Sequence, residues 1–296
     1  MTSGVLVVVP TLGCTGRLAL MLGSLARQSL APDEVVLAVH GDLERVRRAA
    51  GTVLAGLRVR VVECGPGASR ARNTGVRQAR PGWQYVVFAD DDIAYGEDFL
   101  AETVRCFGDG VGDALTAVIV PEDGGPLRSA VPQENVSLTS RNIWKGSLEA
   151  GSAYTARAWE AGGGFDERLG IGSSGPWQSG ESTDLLLRLI SLGFRAAQCP
   201  GRTGTEDTSE AGVVGSWERA RRARRYARGT GYVCRTRLSR RARLGLLCRS
   251  VLRAAVDTAG LRGAGRGREA RQVLVGRVEG LIGRTLWPLR RSGPSA

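Results

Sequence analysis

Short apolar segments recur along the first ninety residues and alternate with segments of helical periodicity. The apolar segments predict strands at 5–9, 35–39, 58–62 and 85–89. Between them, helices are predicted at 17–28, 43–54 and 71–79; in the first of these, Leu18, Leu22 and Leu25 share one face. Buried strands that alternate with helices are typical of a parallel sheet covered by helices on both sides. The pattern therefore predicts an α/β fold with a doubly wound, mostly parallel sheet.

The periodicity weakens between Gly110 and Gly204, where glycine, serine and tryptophan become frequent. We interpret this part as loops and short strands around a site, with a short helix at 183–191, and not as a separate domain. From Trp217 onward the segments are arginine-rich and helical. The sequence therefore predicts one α/β domain over 1–210 and a basic, mainly helical extension over 211–296.

Three adjacent aspartates, Asp90, Asp91 and Asp92, stand at the end of the fourth predicted strand. Adjacent carboxylates repel one another and resist leaving water, so a buried strand does not ordinarily end in three of them. Mg²⁺ or Mn²⁺ would relieve this repulsion, because these ions prefer oxygen ligands and are often held by one or two carboxylates together with phosphate oxygens. The alternative is a solvated acidic turn.

Two further segments also follow predicted strands. They are Pro10-Thr11 and the glycine-rich loop Gly65–Asn73. Ligands of open α/β sheets bind outside the carboxyl ends of the strands. We therefore expect these two segments and the three aspartates to line one cleft.

The charge is divided unevenly along the chain. Residues 211–296 hold 21 arginines against four acidic residues, net +17, whereas the whole chain carries +12. The six cysteines show no CxxC spacing, which argues against a zinc site or a disulfide framework and favours a reducing compartment. The sequence shows no signal-peptide pattern and no run of about 18 uncharged apolar residues. We expect a cytoplasmic protein, with membrane association through the tail as a further hypothesis.

Five blocks of sequence give a more specific indication. They are the opening strand ending in Pro-Thr with the later PDEVVL, then GPGASRARNTG, VVFADDD, GGFDERLG and GESTDLLLRL. In this order and spacing they resemble glycosyltransferase family 2, inverting enzymes with the GT-A fold, over about residues 4–205. The resemblance implies a Rossmann-like, mostly parallel sheet flanked by helices. It also implies a nucleotide-diphosphate-sugar donor, a divalent metal and transfer to an acceptor hydroxyl with inversion.

The resemblance assigns roles on the donor side. Asp92 would be the main metal ligand, and Asp90 would contact the ribose or the metal through water. Arg70 or Arg72 would meet phosphate or base, although a solvated arginine at a helix start is the alternative for Arg72. The other donor-binding candidates are Pro10, Thr11, Asn73 and Asp91.

On the acceptor side, Asp166 in the Gly163–Glu167 turn is expected to bind sugar hydroxyls, with an ordinary Asx turn as the alternative. Trp177 is expected to stack on a sugar face, with a packing role as the alternative.

The chain departs from the family at the general base. The family has an acidic pair at the start of the helix corresponding to 183–191, but the second position here is Ser182, which cannot act as a base at neutral pH. Glu181 is the first candidate for the base and Asp184 the second. Alternatively, both acids serve the helix dipole and an Asp184–Arg188 pair.

Two other departures concern the donor site. The acidic residue that commonly follows the second strand is missing, and Asp42 is the candidate to replace it. The histidine that commonly completes the metal site after Cys199 is also missing, so Glu206 or Asp207 is the candidate there. These departures leave open a degenerate member that binds nucleotide sugar, or acts as a scaffold, without turnover.

The basic tail allows three interpretations. Apolar helix faces flanked by arginine fit an anionic membrane surface, and they also fit a helical lid or dimerisation element. Nucleic-acid binding is disfavoured, because no helix-turn-helix, zinc or RNA-binding pattern accompanies the charge.

The expected acceptor of the sugar is a lipid-linked or cell-surface glycan intermediate, or a small natural product.

Overall fold

The computed structural model describes residues 4–13, 16–51, 56–123, 131–207, 216–259 and 266–286. The chain divides into two compact units. The first comprises 1–174 and 181–213, and the second comprises 175–180 and 214–296.

The first unit is built on a mixed sheet whose strands, within the described residues, run in the order β3-β2-β1-β4-β8-β6-β9-β5, with β7 paired to β9. The strands are β1 (Val5–Thr11), β2 (Glu34–Val39), β3 (Val59–Glu63), β4 (Tyr85–Phe88), β5 (Ile93–Tyr95), β6 (Ala114–Pro121), β7 (Val136–Leu138), β8 (Ala153–Thr155) and β9 (Ala196–Glu206). The first four in spatial order are parallel, and β8 is antiparallel to both of its neighbours.

Helices connect and cover these strands. They are α1 (Leu18–Ala26), α2 (Leu43–Gly51), α3 (Ala68–Gln78), α4 (Phe99–Gly108), α5 (Ile143–Gly146), α6 (Ala156–Gly162) and α7 (Glu181–Ser191). The predicted early helices are all present, but α3 begins at Ala68, three residues before the predicted start. The end of the predicted helix 43–54 lies outside the described residues.

The core explains the continuous apolar pattern of the first strands. Every residue of β2 is buried, and Val5–Val9 of β1 is buried as well, so these strands lose water contact on both faces. Gly75 lets α3 lie directly on β1, because a Cβ atom at this position would come within 2.3 Å of Val8 Cγ1. This close approach packs the second half of α3 on the middle of β1.

The expectation of loops and short strands between Gly110 and Gly204 is wrong for two strands. β6 has eight residues and β9 has eleven. β9 contains the polar and turn-forming residues Pro200, Gly201 and Arg202, which conceal its strand character in the sequence. Arg202 is buried, and its guanidinium donates to Thr103 Oγ1 (2.8 Å) and to the Gly151 carbonyl oxygen (2.7 Å).

The second unit contains three long helices, α8 (Ser216–Arg237), α9 (Arg240–Thr258) and α10 (Arg266–Ile282). Glycines let α8 and α10 approach closely: a Cβ atom at Gly231 would come within 2.3 Å of the Arg277 carbonyl oxygen, and one at Gly276 within 2.4 Å of that of Arg224. In the parts of the chain that the structure describes, no helix has the length and apolar character needed to cross a bilayer.

A buried ion cluster joins the same two helices. Glu279 of α10 accepts hydrogen bonds from Arg224 (Nη2, 2.5 Å) and Arg228 (Nε, 2.6 Å) of α8, and all three side chains are nearly inaccessible. Burial alone would raise the pKa of Glu279, but the hydrogen bonds from Arg224 and Arg228 lower it to about 2.

Replacing Glu279 with Gln should therefore lower the free energy of unfolding by about 3 to 5 kcal/mol, because two buried arginine charges lose their counterion. Denaturant unfolding followed by circular dichroism at pH 7 measures this loss. The matched control is E269Q, an exposed position on the same helix, which should unfold like the wild type.

The same cluster makes stability depend on pH. Because the pKa of Glu279 is lower in the folded protein than its ordinary 4.5, its stabilisation is complete above that value and is lost as the pH falls toward 2. The difference in stability between wild type and E279Q should shrink over this window. An E279Q protein as stable as the wild type at pH 7 would contradict the role given to the cluster.

Candidate active site

A cleft of about 430 Å³ opens at the carboxyl ends of the parallel strands of the first unit. It brings together the three segments that the sequence predicted to meet. Its lining includes Pro10, Thr11, His40, Gly67, Arg72, Asp90, Asp91 and Asp92, together with Ile171 and Gly172. β1 and β4 are parallel neighbours, with Val8 opposite Phe88, so the residues that follow each strand emerge side by side.

The aspartate turn is held in place by specific hydrogen bonds. Thr11 Oγ1 donates to Asp91 Oδ2 at 2.5 Å. The backbone N–H of Asp90 donates to the Tyr95 hydroxyl oxygen at 3.0 Å. All three aspartates are half-buried, so the turn presents several carboxylate oxygens to a partly desolvated cleft.

Arg72 is the buried charge of the site. Its guanidinium donates to Asp90 Oδ1 (2.8 Å) and to Glu181 Oε1 (3.2 Å), and only 4% of its side chain is exposed. The alternative of a solvated arginine at a helix start is therefore wrong. Burial would lower the pKa of Arg72, but the Asp90 and Glu181 carboxylates raise it above its ordinary value, so the side chain stays charged.

Asn73, the next residue of α3, fixes the turn at 163–167. Its Nδ2 donates to the Phe165 carbonyl oxygen (2.9 Å), and the Phe165 N–H donates to its Oδ1 (3.0 Å). Gly164 has φ +75, and a Cβ there would lie 2.9 Å from Asn73 Oδ1, so both the backbone conformation and the space favour glycine. Arg70 lies on the exposed side of α3 and pairs with Glu167 at 2.9 Å.

Asp166 forms the Asx turn that the sequence left as the alternative. Its Oδ1 accepts from the Arg168 N–H at 3.0 Å, and the Arg168 guanidinium pairs with the same carboxylate at 2.7 Å. Burial would raise the pKa of Asp166, but the hydrogen bonds from Arg168 lower it.

The two acids at the start of α7 lie in different surroundings. Glu181 is buried and pairs with Arg72; burial and the nearby Glu149 carboxylate raise its pKa, and Arg72 opposes this rise. Asp184 is fully buried and pairs with Arg188 Nε at 2.9 Å, as one of the sequence alternatives anticipated. Arg188 also donates to the Gly164 carbonyl oxygen at 2.6 Å, so this pair ties α7 to the 163–167 turn.

Glu149 is the residue that sequence reasoning missed. It lies in the connection between α5 and β8, and its Oε1 is 3.4 Å from the backbone nitrogen of Ser182. Burial raises its pKa, while Arg72 lowers it. An isolated glutamate outside every motif carries no sequence signal for such a position.

The remaining candidates lie as follows. Asp42 is exposed and accepts the Arg45 N–H at 2.9 Å, in the manner of a residue that caps α2. Trp177 belongs to the second unit, where it is buried and stacks on Tyr232 with ring centroids 4.9 Å apart. Asp207 pairs with Arg17.

The donor atoms of the cleft fit a hard divalent cation. Carboxylate oxygens of adjacent aspartates are the ligands that Mg²⁺ and Mn²⁺ prefer, and one or two suffice when phosphate oxygens complete the shell. Glu206 of β9 is paired in register with Ile93, the residue after Asp92. Among the residues that the structure describes, no three His, Cys, Asp or Glu side chains form a ready-made metal cage.

A match to a protein-family model shows which family the chain belongs to. The model of "Glycosyl transferase family 2" matches residues 6–157, just over half of the chain. The chain belongs to glycosyl transferase family 2. The matched range includes the Pro-Thr strand end, the Gly65–Asn73 loop and the aspartate triplet, whereas the 163–170 and 180–189 blocks lie beyond it. A comparison with curated proteins finds no match.

Two solved structures have a fold similar to that of this chain. TarS (residues 1–349) from S. aureus, in complex with UDP-GlcNAc, is 16% identical with a TM-score of 0.58, covering 97% of this chain and 93% of that one. The mannosyltransferase PcManGT from Pyrobaculum calidifontis, in complex with GDP-Man and Mn²⁺, is 20% identical with a TM-score of 0.61, covering 94% and 87%. Both share the fold of this chain, and the predicted GT-A fold class is confirmed.

Proposed function

We propose that this family 2 glycosyltransferase moves a sugar from a nucleotide-diphosphate-sugar donor to an acceptor hydroxyl, with inversion at the anomeric carbon. The observation that carries the proposal is the cleft in which Thr11, Arg72 and the aspartate triplet converge. TarS with UDP-GlcNAc and PcManGT with GDP-Man and Mn²⁺ support this class of donor. The alternative, a degenerate member that binds the donor without turnover, makes the same binding predictions but no product.

Asp92 and Asp90 would hold Mg²⁺ or Mn²⁺. When bound, the metal neutralises charge on the two phosphates of the donor and so assists departure of the nucleoside diphosphate. The hydrogen bond between Thr11 and Asp91 fixes the conformation of the aspartate turn. Arg72 donates to Oδ1 of Asp90 and so fixes that carboxylate beside Asp92.

Donor specificity would come from the residues around these carboxylates. Pro10 and Thr11 line one wall of the cleft, and Arg70, Arg72 and Asn73 belong to the helix that follows the glycine-rich loop. Asp42, although it caps α2, is still the candidate for contact with the nucleotide base. Its neighbour His40 lines the cleft.

Acceptor binding is proposed for Asp166 of the first unit. Trp177 is buried against Tyr232 within the second unit, which favours its alternative packing role. The acceptor hydroxyl then needs a carboxylate base, and Glu181 and Asp184 are the sequence-based candidates.

Inversion predicts that an α-linked nucleotide sugar gives a β-configured product. Proton NMR of the freshly released sugar detects this configuration.

Nucleotide binding tests the donor site. We expect Mn²⁺ together with the correct nucleoside diphosphate, from a panel of uridine, guanosine and thymidine diphosphates, to raise the Tm of the wild type. D92A should lose this shift, because the cleft loses its main metal ligand. The matched control is D109A, an exposed aspartate at the end of α4, which should respond like the wild type.

Absence of a shift with every nucleotide would contradict the proposal. A shift that is equal with and without Mn²⁺, or that survives D92A, would preserve nucleotide binding but remove the metal role of Asp92.

We further propose that α9 of the second unit contacts an anionic membrane surface. Its outer face exposes Leu244 (62%) and Leu252 (66%) to water, and the exposed Arg241 and Arg249 lie close to them along the helix. Apolar side chains flanked by arginine bind interfaces with negatively charged lipids, at about 1 kcal/mol per basic residue near the surface. A lipid-linked acceptor would then be available at this surface.

Vesicle sedimentation tests this membrane contact. The wild type should sediment with phosphatidylserine-containing vesicles and less with pure phosphatidylcholine, whereas L244E/L252E should remain in solution. L20E, at an exposed leucine of α1, is the matched control. Equal sedimentation of the wild type and L244E/L252E would count against α9 as the contact.

A further inference from the structure

The connection that carries Glu149 is fastened to the strand that carries the aspartates. The Gly151 N–H donates to the Phe88 carbonyl oxygen (2.7 Å), and the Phe88 N–H donates to the Ser152 carbonyl oxygen (2.8 Å). Phe88 is the last residue of β4, two positions before Asp90. Glu149 is therefore held close to the aspartate triplet in spite of its distance along the chain.

The same connection is fastened to the start of α7. Ser147 and Thr183 share a hydrogen bond between their hydroxyls (2.7 Å), and Ser182 Oγ donates to the Leu148 carbonyl oxygen (3.3 Å). The Ser182 N–H then points to the carboxylate of Glu149 (3.4 Å). An unpaired N–H at the start of a helix favours a negative charge there.

The connection that carries Glu149 is rigid as well as close to the aspartate triplet. Gly151 has φ +74, and a Cβ there would lie 2.6 Å from the Ala117 Cβ, so the packing leaves room only for glycine. The buried Arg202 donates to its carbonyl oxygen at 2.7 Å. Glu149 is thus presented by a fixed scaffold, as a group that takes part in proton transfer requires.

The two carboxylates of α7 form hydrogen-bonded pairs with arginines, whereas Glu149 interacts with Arg72 electrostatically. Glu181 is buried and bound to Arg72, and Asp184 has no exposed surface and is bound to Arg188. Glu149 is partly buried, and its carboxylate accepts a long contact from the Ser182 N–H and, among the described residues, no hydrogen bond from an arginine. A general base must be able to take the proton that it removes, so the lack of a hydrogen-bonded arginine favours Glu149 over the two acids of α7.

We infer that Glu149 is the general base of the transfer reaction and that Glu181 is a positioning residue for Arg72. The inference rests on the proposed function. In the step, the acceptor oxygen forms a bond to the anomeric carbon, and its proton passes to the Glu149 carboxylate. The bond from the anomeric carbon to the phosphate oxygen breaks, and its electron pair leaves with the nucleoside diphosphate.

This assignment accounts for Ser182. The residue supplies no carboxylate of its own, but its backbone N–H and its hydroxyl hold the segment that supplies one. The base then comes from the connection before β8 and not from α7, while the carboxylate stays beside the same turn of helix.

The test uses a nucleotide sugar of the nucleoside diphosphate that thermal shift selects and measures release of that diphosphate, with water as acceptor and Mn²⁺ present, between pH 5 and 9. E149Q should lower kcat by about 10² to 10⁴-fold and abolish the decline of kcat on the acid side, because no carboxylate remains to be protonated. Its metal-dependent nucleotide Kd should stay unchanged. E149D, which keeps the carboxylate, should retain more activity than E149Q.

Two further variants separate the roles. E181Q should weaken nucleotide binding, since Arg72 loses one partner, while the acid-side decline of kcat persists. E160Q, an exposed position on α6, should behave as the wild type. An E149Q enzyme with kcat within threefold of the wild type, or one that has lost nucleotide binding, would overturn the inference. A wild type that binds no nucleotide would instead refute the proposed function.

Discussion

One buried guanidinium organises the cleft. Arg72 joins Asp90, at the end of β4, to Glu181, which is 109 residues further along the chain than Arg72. A charge with 4% exposure is tolerated only when it is paired, and removal of one partner typically costs about 3 to 5 kcal/mol. The carboxylates cannot drift apart without leaving that charge unpaired. The sheet, α3 and α7 are thereby kept in the arrangement that the site needs.

The strand and helix pattern of the first ninety residues was predictable, because β1, β2 and most of β4 are buried and so are apolar almost without interruption. The cleft at the end of the strands followed from it, since residues after parallel strands emerge at one edge of the sheet. β9 was not predictable in the same way. Arg202 is charged and yet fully buried in this strand, held by Thr103 and Gly151, and such long-range partners leave no local pattern.

The candidate site likewise contains residues that a local sequence pattern reveals and residues that it does not. Asp90–Asp92 and Arg72 lie in motifs, so the sequence alone identified them as candidates. Glu149 was not, because its position depends on hydrogen bonds to β4 and α7 that form only in the folded chain. Conversely, Asp184 matched a family position, and the structure shows it fully buried in a pair with Arg188. Residue type and spacing identify candidates, whereas burial and hydrogen-bond partners show which of the acids are paired with arginines.

The central claim is that a metal and a nucleoside diphosphate bind together at the aspartate turn. Crystals grown with Mn²⁺ and the nucleoside diphosphate that raises the Tm would test it by anomalous scattering. The account predicts one manganese peak in contact with the Asp92 carboxylate and with both phosphates, while Arg72 keeps its contact with Asp90. A manganese peak away from the triplet, or a nucleotide outside this cleft, would contradict it.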